Sequence, residues 1–151
     1  SSVYLTKLIE KDEYMFAISS KGVYGLTAVI ELAMNYNNGP MQIRDIAESC
    51  SIPRHYLEQL LVILKKTGIV ESFRGSRGGY ALAKDPKHIK VVDVMSALEG
   101  KLEVVPEQKK SGMLNFLWSR LEREIGEALD MSVEEIILEK QALDRSPMYN
   151  I

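Results

Sequence analysis

The chain has 151 residues, enough for one hydrophobic core with an appended element but hardly for two independent domains. Hydrophobic residues make up 46% of the sequence and charged residues 26%, and no apolar run approaches the ~20 residues needed to cross a bilayer. One cysteine and two histidines leave too few ligands for a tetrahedral zinc site within one chain, and the net charge of -2 shows no overall bias toward nucleic acid.

The charges are distributed unevenly along the chain. Residues 15–100 carry 10 Lys and Arg against 8 Asp and Glu, whereas residues 101–151 carry 7 against 10. A basic first part and an acidic tail suit a DNA-reading domain joined to a separate oligomerisation element, although so small a difference decides nothing alone. The single cysteine, Cys50, cannot form an internal disulfide, and no signal peptide is recognisable, so we expect a cytoplasmic protein without a membrane partner.

The first strong helical pattern begins at Ser19-Ser20, and its apolar stripe runs to Met34 before an Asn-Asn-Gly-Pro stop. Ser20 and Lys21 lie at the N-terminus of this helix. They are compatible with a phosphate contact through backbone amides and charge, and equally with a simple cap and a solvated lysine.

A short helix over residues 42–50, a tight break and a longer helix from Pro53 to about Thr67 form the pattern of a helix-turn-helix. Leucines occupy the inner face of the longer helix, so its polar side chains project elsewhere. On a recognition helix the first turns reach base edges in the major groove, where Arg can bond guanine, Gln adenine and Glu the cytosine amino group. The exposed candidates are Arg54, His55, Glu58 and Gln59.

A basic β-hairpin is predicted directly after the helix-turn-helix. Residues 69–73 and 80–83 have the pattern of strands, and the turn between them reads Arg-Gly-Ser-Arg-Gly-Gly. Arg74 and Arg77 flank glycines that permit close backbone approach, which suits phosphate contact or arginine insertion into the minor groove. The spacings of nucleotide-binding loops are absent. This hairpin is therefore interpreted as the wing of a winged helix-turn-helix.

The C-terminal third reads as a helical oligomerisation element. A helix ending near Gly100 is followed by a polar loop over residues 101–112 and a long helix over residues 113–129, and a capping-box pattern at Ser132 starts a short last helix. The apolar stripe of the long helix needs a partner, which a twofold-related copy supplies. The candidate dimerisation residues are Leu114, Leu117, Trp118, Leu121 and Ile125. No nucleophile or metalloprotease motif is present, so we do not expect an enzyme.

Four segments resemble the Rrf2 family of winged helix-turn-helix transcriptional regulators. They are residues 20–24 (SKGVY), 56–60 (YLEQL), 74–80 (RGSRGGY) and 97–100 (ALEG), and the likeness runs from about Met15 through Val133. The resemblance implies a bacterial homodimeric repressor or activator whose long helix crosses between subunits. It further implies that Tyr56, Glu58 and Gln59 contact operator DNA and that Arg74 with its glycines enters the minor groove.

The loop over residues 101–112 departs from the cluster-binding members of the family. Those members carry three cysteines in this loop, whereas here it has none and is about half a dozen residues shorter. The chain therefore resembles the clusterless, CymR-like branch, which responds through a partner protein or another signal, and no cofactor is expected. An iron–sulfur-sensing regulator remains an alternative only if loop residues are missing from this sequence.

These observations predict a mainly α fold with a small β-hairpin wing, that is, a winged helix-turn-helix followed by a long C-terminal dimerisation helix. We divide the chain into an N-terminal extension or cloning remnant (1–14), a DNA-binding domain (15–100), a loop (101–112) and a dimerisation helix with a short C-terminal helix (113–145). We expect a homodimeric regulator, a repressor, on a palindromic double-stranded operator. A winged-helix protein-interaction module with weak DNA binding is the second alternative. The candidate DNA-contacting residues are Ser20, Lys21, Gln42, Arg54, His55, Tyr56, Glu58, Gln59, Arg74, Ser76, Arg77 and Gly78.

Overall fold

Six α-helices and one two-stranded hairpin build the part of the chain that the structure, a computed structural model, describes, namely residues 14–147. In chain order they are α1 (Ser20–Met34), α2 (Ile43–Cys50), α3 (Arg54–Lys66), β1 (Val70–Phe73), β2 (Gly79–Leu82), α4 (Val91–Glu99), α5 (Asn115–Ala128) and α6 (Val133–Asp144). The predicted mainly α fold with a small hairpin is confirmed. Residues 1–13 of the predicted extension lie outside the described residues. Within residues 14–147, no helix combines the length and the apolarity that crossing a membrane requires.

The core lies where α1 packs against α2, α3 and α4. The leucine face predicted for α3 is buried, with Leu57, Leu60, Leu61 and Leu64 between 0% and 1% exposed. Gly25 of α1 meets α4 closely, because a Cβ added there would lie 2.3 Å from a methyl carbon of Leu98. Burial of this many apolar side chains fixes α2 and α3 relative to α1, which gives the helix-turn-helix one orientation.

The hairpin is antiparallel and joined to the core on one face. Val70 pairs with Leu82, and both side chains are buried, whereas Phe73 pairs with Gly79 near the turn and is 46% exposed. The hairpin thus has a buried base and an exposed tip.

The C-terminal helices differ from expectation in length and in packing. α5 has 14 residues, one fewer than α1, and none of them is buried. α6 has 12 residues, so it is not the short helix that was expected, and its predicted capping box is present, with Glu135 N donating to Ser132 Oγ at 3.0 Å. Val133 is fully buried in the core, and its N–H donates to Ile89 O at 2.8 Å. The start of α6 therefore belongs to the same core as α1–α4.

Candidate DNA-binding interface

The polar face of α3 is organised as two side-chain pairs, each one helical turn long. Arg54 Nε lies 3.9 Å from Glu58 Oε1, and Gln59 Nε2 lies 3.4 Å from His55 Nε2. All four side chains are exposed on the first two turns of the helix. Because Arg54 offsets the charge of Glu58, these two ionised side chains add no net charge to this face of α3. The four residues are placed together as predicted.

Tyr56 occupies a different position from its exposed neighbours. Its half-buried ring meets the ring of Tyr24 on α1 edge-to-face, with centroids 5.8 Å apart and planes 79° apart. Such a contact favours one placement of the N-terminal end of α3 against α1. Tyr56 therefore fixes the position of α3 against α1. Only the exposed part of its ring is left for a contact with DNA.

The wing is attached to the segment that leads into α2. Met41 and Tyr80 form an antiparallel bridge, and Gln42 Nε2 donates to Ser76 O at 3.2 Å. Gln42 and Ser76, both predicted to contact DNA, are exposed and joined by this hydrogen bond. The wing tip and the helix-turn-helix consequently form one surface rather than two independent ones.

Gly78, another predicted DNA contact, lies inside the turn of the wing. It is buried, and a Cβ at this position would lie 2.3 Å from Phe73 O and 2.7 Å from the carbonyl carbon of Arg74. Glycine is needed here because the two arms of the turn approach each other too closely for a side chain. Gly78 therefore shapes the turn that presents Arg74 and Arg77, both of which are exposed.

A polar cleft of about 470 Å³ separates the wing tip from the start of α2. Arg77 lines it from the wing, and Gln42 and Arg44 line it from the N-terminal end of α2. Arg44 was not predicted to contact DNA, because one arginine on a short amphipathic helix looks like an ordinary solvated residue. Its side chain is 69% exposed, and its Nε lies 3.8 Å from Asp45 Oδ1. Two arginines facing one cleft suit a phosphate of the DNA backbone.

The N-terminus of α1 is occupied by a carboxylate from α4. Glu99 Oε1 accepts hydrogen bonds from Ser19 Oγ at 2.6 Å and from the backbone amides of Ser19 and Gly22, both at 2.9 Å. A phosphate bound through the first amides of α1 would meet this negative charge. Ser20 and Lys21 were both predicted to contact a phosphate here. The prediction is stronger for Lys21 than for Ser20, because the exposed ammonium of Lys21 does not depend on those backbone amides.

The predicted dimerisation face of α5 is largely open. Leu114 is 46% exposed and Leu117, Trp118 and Leu121 are half-buried. Two residues that were not predicted, Met113 and Phe116, are 89% and 65% exposed at the same end. Ile125 is half-buried and lines a cavity of about 220 Å³ together with Val92 and Met95 of α4. The most exposed apolar side chains lie toward the N-terminal end of α5.

One ion pair and one backbone hydrogen bond join the loop over residues 101–112 to α5. Lys110 Nζ lies 3.1 Å from Glu122 Oε2, with the two side chains 19% and 17% exposed, and Val104 N donates to Glu122 Oε1 at 3.1 Å. The Val104 amide and then Lys110 hold the pKa of Glu122 below its ordinary value, and the hydrogen bond to Glu122 raises the pKa of Lys110.

This loop does not fit an iron–sulfur cluster held by three cysteines, because residues 101–112 contain none. Across residues 14–147, no group of three or more His, Cys, Asp or Glu side chains is arranged to hold a metal ion. The side chains that bridge the loop to α5 are instead the oppositely charged Lys110 and Glu122.

Comparison with known proteins gives one consistent result. The sequence profile of the Rrf2 family, described as "Iron-dependent Transcriptional regulator", matches residues 18–138. The chain is 39% identical over 121 residues to the HTH-type transcriptional regulator CymR of Bacillus subtilis, covering 78% of this chain and 86% of that protein. The solved structure of CymR, the global cysteine regulator of B. subtilis, superposes with a TM-score of 0.73 at 36% identity, over 80% of this chain and 95% of that one. IscR of T. potens superposes with a TM-score of 0.74 at 33% identity, over 87% and 93%.

Proposed function

The chain belongs to the Rrf2 family of DNA-binding transcriptional regulators, and from this premise we propose that it is a homodimeric repressor of a palindromic operator. It is a regulator and not an enzyme. The observation that carries the proposal is the joined surface of α3 and the wing. α3 exposes two side-chain pairs for base edges, and the bridge between Met41 and Tyr80 holds Arg77 opposite Arg44 for the backbone.

The dimer is supported by the unburied apolar face of α5. A helix without one buried residue gains little from folding alone, and exposed Met113 and Phe116 add apolar surface at its start. An equivalent helix from a twofold-related copy would cover this face. The two winged helix-turn-helix units of the dimer, here called heads (residues 15–100 of each copy), then read two inverted half-sites. These half-sites lie about one helical turn of DNA, ~10 base pairs, apart.

Repression is proposed because it requires only that the bound dimer block access to a promoter. This mode needs no surface beyond the DNA interface and the dimer seam. Since the residues of the loop over 101–112 do not fit a cysteine-ligated cluster, we propose that the signal reaches the protein through a regulatory partner protein or another effector. A DNA partner also places the protein in the bacterial cytoplasm.

The proposal is tested by in vitro selection from a library of DNA duplexes with a randomised core. We expect enrichment of an inverted repeat, and we expect the selected duplex to compete better than a scrambled duplex of equal length. Transcription from a promoter that overlaps the selected duplex should fall when the protein is added. Recovery of unbiased sequences after several rounds would contradict the proposal.

A further inference from the structure

His55 and Gln59 are joined across one turn of α3 by a hydrogen bond between two nitrogen atoms. Gln59 Nε2 lies 3.4 Å from His55 Nε2. An amide nitrogen can only donate, so the imidazole Nε2 accepts in the tautomer that carries its proton on Nδ1. Within residues 14–147, the His55 side chain has no other hydrogen-bond partner, which leaves Gln59 as the group that it orients.

This hydrogen bond defines what the Gln59 amide presents to DNA. One of its two N–H groups points at His55, and the other N–H and the carbonyl Oε1 remain free. The free pair is one donor beside one acceptor. The major-groove edge of adenine offers the complementary pair, the acceptor N7 and the donor N6, whereas guanine offers two acceptors, N7 and O6.

The neighbouring pair on α3 leaves this arrangement undisturbed. Arg54 lies 3.9 Å from Glu58, so the guanidinium and the carboxylate engage each other rather than the His55–Gln59 pair. All four side chains are exposed, and within residues 14–147 no partner from another element holds the Gln59 amide in the alternative orientation. The orientation of the amide therefore depends on His55.

We propose that His55 is a positioning residue that makes Gln59 select adenine over guanine in the operator half-site. The inference rests on the proposed function, since it assumes that α3 reads base edges. It assigns to His55 an indirect role: the imidazole acts through the amide of Gln59, and its removal matters only while Gln59 is present.

The test uses the full chain and the duplex that it selects from a randomised library. The Gln59→Ala variant, selected in parallel, identifies the base step that Gln59 reads as the position where preference disappears. Affinities of each variant for the adenine and guanine versions of that step are then measured by fluorescence anisotropy. The variants are His55→Ala, His55→Gln, Gln59→Ala, the double variant of His55→Ala with Gln59→Ala, and His88→Ala as a matched exposed-histidine control.

We expect the parent to prefer adenine and His55→Ala to lower that preference by about threefold to tenfold, the range of one net hydrogen bond. His55→Gln should restore most of it, because its carbonyl also accepts from the Gln59 amide. In the Gln59→Ala background, removing His55 should change nothing further, and His88→Ala should match the parent.

Two results would overturn the inference while leaving the proposed function intact. One is an unchanged adenine preference in His55→Ala, and the other is an equal effect of His55→Ala with and without Gln59, which would mean that His55 touches the base itself. If the parent selects no sequence at all, the proposed function fails, and the inference fails with it. Circular dichroism of each variant separates these outcomes from loss of fold.

Discussion

The backbones of Met41 and Tyr80 form a two-way hydrogen-bonded bridge, with Tyr80 N donating to Met41 O at 2.7 Å and Met41 N to Tyr80 O at 2.9 Å. Met41 directly precedes the helix-turn-helix, and Tyr80 lies on the return strand of the wing. The bridge pairs Met41 with the edge of β2 that faces away from β1. It therefore ties the wing, which we propose contacts the DNA backbone, to the helices that we propose reach the bases.

Replacing Gly79 by alanine should disturb this bridge. Gly79 has a φ of +140°, and a Cβ there would lie 2.2 Å from Met41 O, which is backbone and cannot rotate away. We expect Gly79→Ala to lower the free energy of unfolding by about 1–3 kcal/mol. We also expect at least a severalfold loss of DNA affinity, because the wing must shift away from α2. Urea unfolding followed by circular dichroism and anisotropy titrations measure the two effects.

Gly126→Ala is the matched control for this substitution. The added Cβ would make only an ordinary contact, 3.7 Å from Leu102 Cδ2, in the interior of α5. Stability should stay constant or rise by up to about 1 kcal/mol, since alanine favours helix. An equal loss of stability in both variants would show that the bridge has no special role.

Arg44 and Arg77 should contact the DNA backbone from the two sides of their cleft. Replacing either by alanine should weaken binding to the selected and scrambled duplexes by similar factors. Each substitution should also reduce the slope of log affinity against log salt concentration by about one. Arg145→Ala, at an exposed arginine beyond α6, serves as control. If both Arg44→Ala and Arg77→Ala keep the parent's slope of log affinity against log salt concentration, the cleft does not contact the DNA backbone.

Phe116 should lie in the dimer seam. Phe116→Asp places a charge where the proposed partner covers the surface, and we expect the dissociation constant of the dimer to rise about 100-fold. Affinity for the palindrome should fall in parallel, since each head then binds its half-site alone. Sedimentation velocity measures the oligomeric state. Leu138→Asp, at an α6 leucine that is 55% exposed, is the control and should remain dimeric; the same dissociation in both variants would argue against a seam on α5.

The helices of the head could be predicted because their signals are local. The leucines of α3 recur at helical spacing, and their burial follows from that spacing alone. The bridge between Met41 and Tyr80 has no such signal, since backbone groups far apart in sequence pair regardless of side chain. The steric role of Gly78 likewise has no signal in the sequence. A glycine beside arginines suits both DNA approach and a tight turn, and only the position of Phe73 O distinguishes them.

The C-terminal part was less predictable because some of its residues lie in the core and others lie on the open face of α5. Val133 reads as the start of a separate helix, yet it fills the core, and the pairing of its N–H with Ile89 O has no sequence signature. The open face of α5, in contrast, was visible as an apolar stripe. The pairing of Lys110 with Glu122 crosses a loop, where charge patterns do not specify partners.

Glu122 should make the attachment of the loop sensitive to acid. Its pKa lies below the ordinary value of 4.5 in the folded chain, so the unfolded chain takes up the proton first as the pH falls. The stabilisation is complete above that ordinary value and is lost as the pH falls through the folded value. We expect the difference in Tm between the parent and Glu122→Gln to be largest near neutral pH and to shrink in acid.

Thermal unfolding between pH 3 and pH 7, followed by the fluorescence of Trp118 on α5, measures this difference. Glu124→Gln, at an exposed glutamate of the same helix, is the control and should track the parent. A difference between parent and Glu122→Gln that stays constant over the whole range would contradict the role of the Glu122 charge.

The most direct test of sequence-specific, dimeric DNA recognition compares the selected palindrome with a scrambled duplex over a series of salt concentrations. Fluorescence anisotropy of the full chain gives the affinity for each duplex. The account predicts that the palindrome binds at least about 1,000-fold more tightly at physiological salt, and that both affinities fall steeply as salt rises. Equal affinity for the two duplexes, or binding that does not respond to salt, would contradict it.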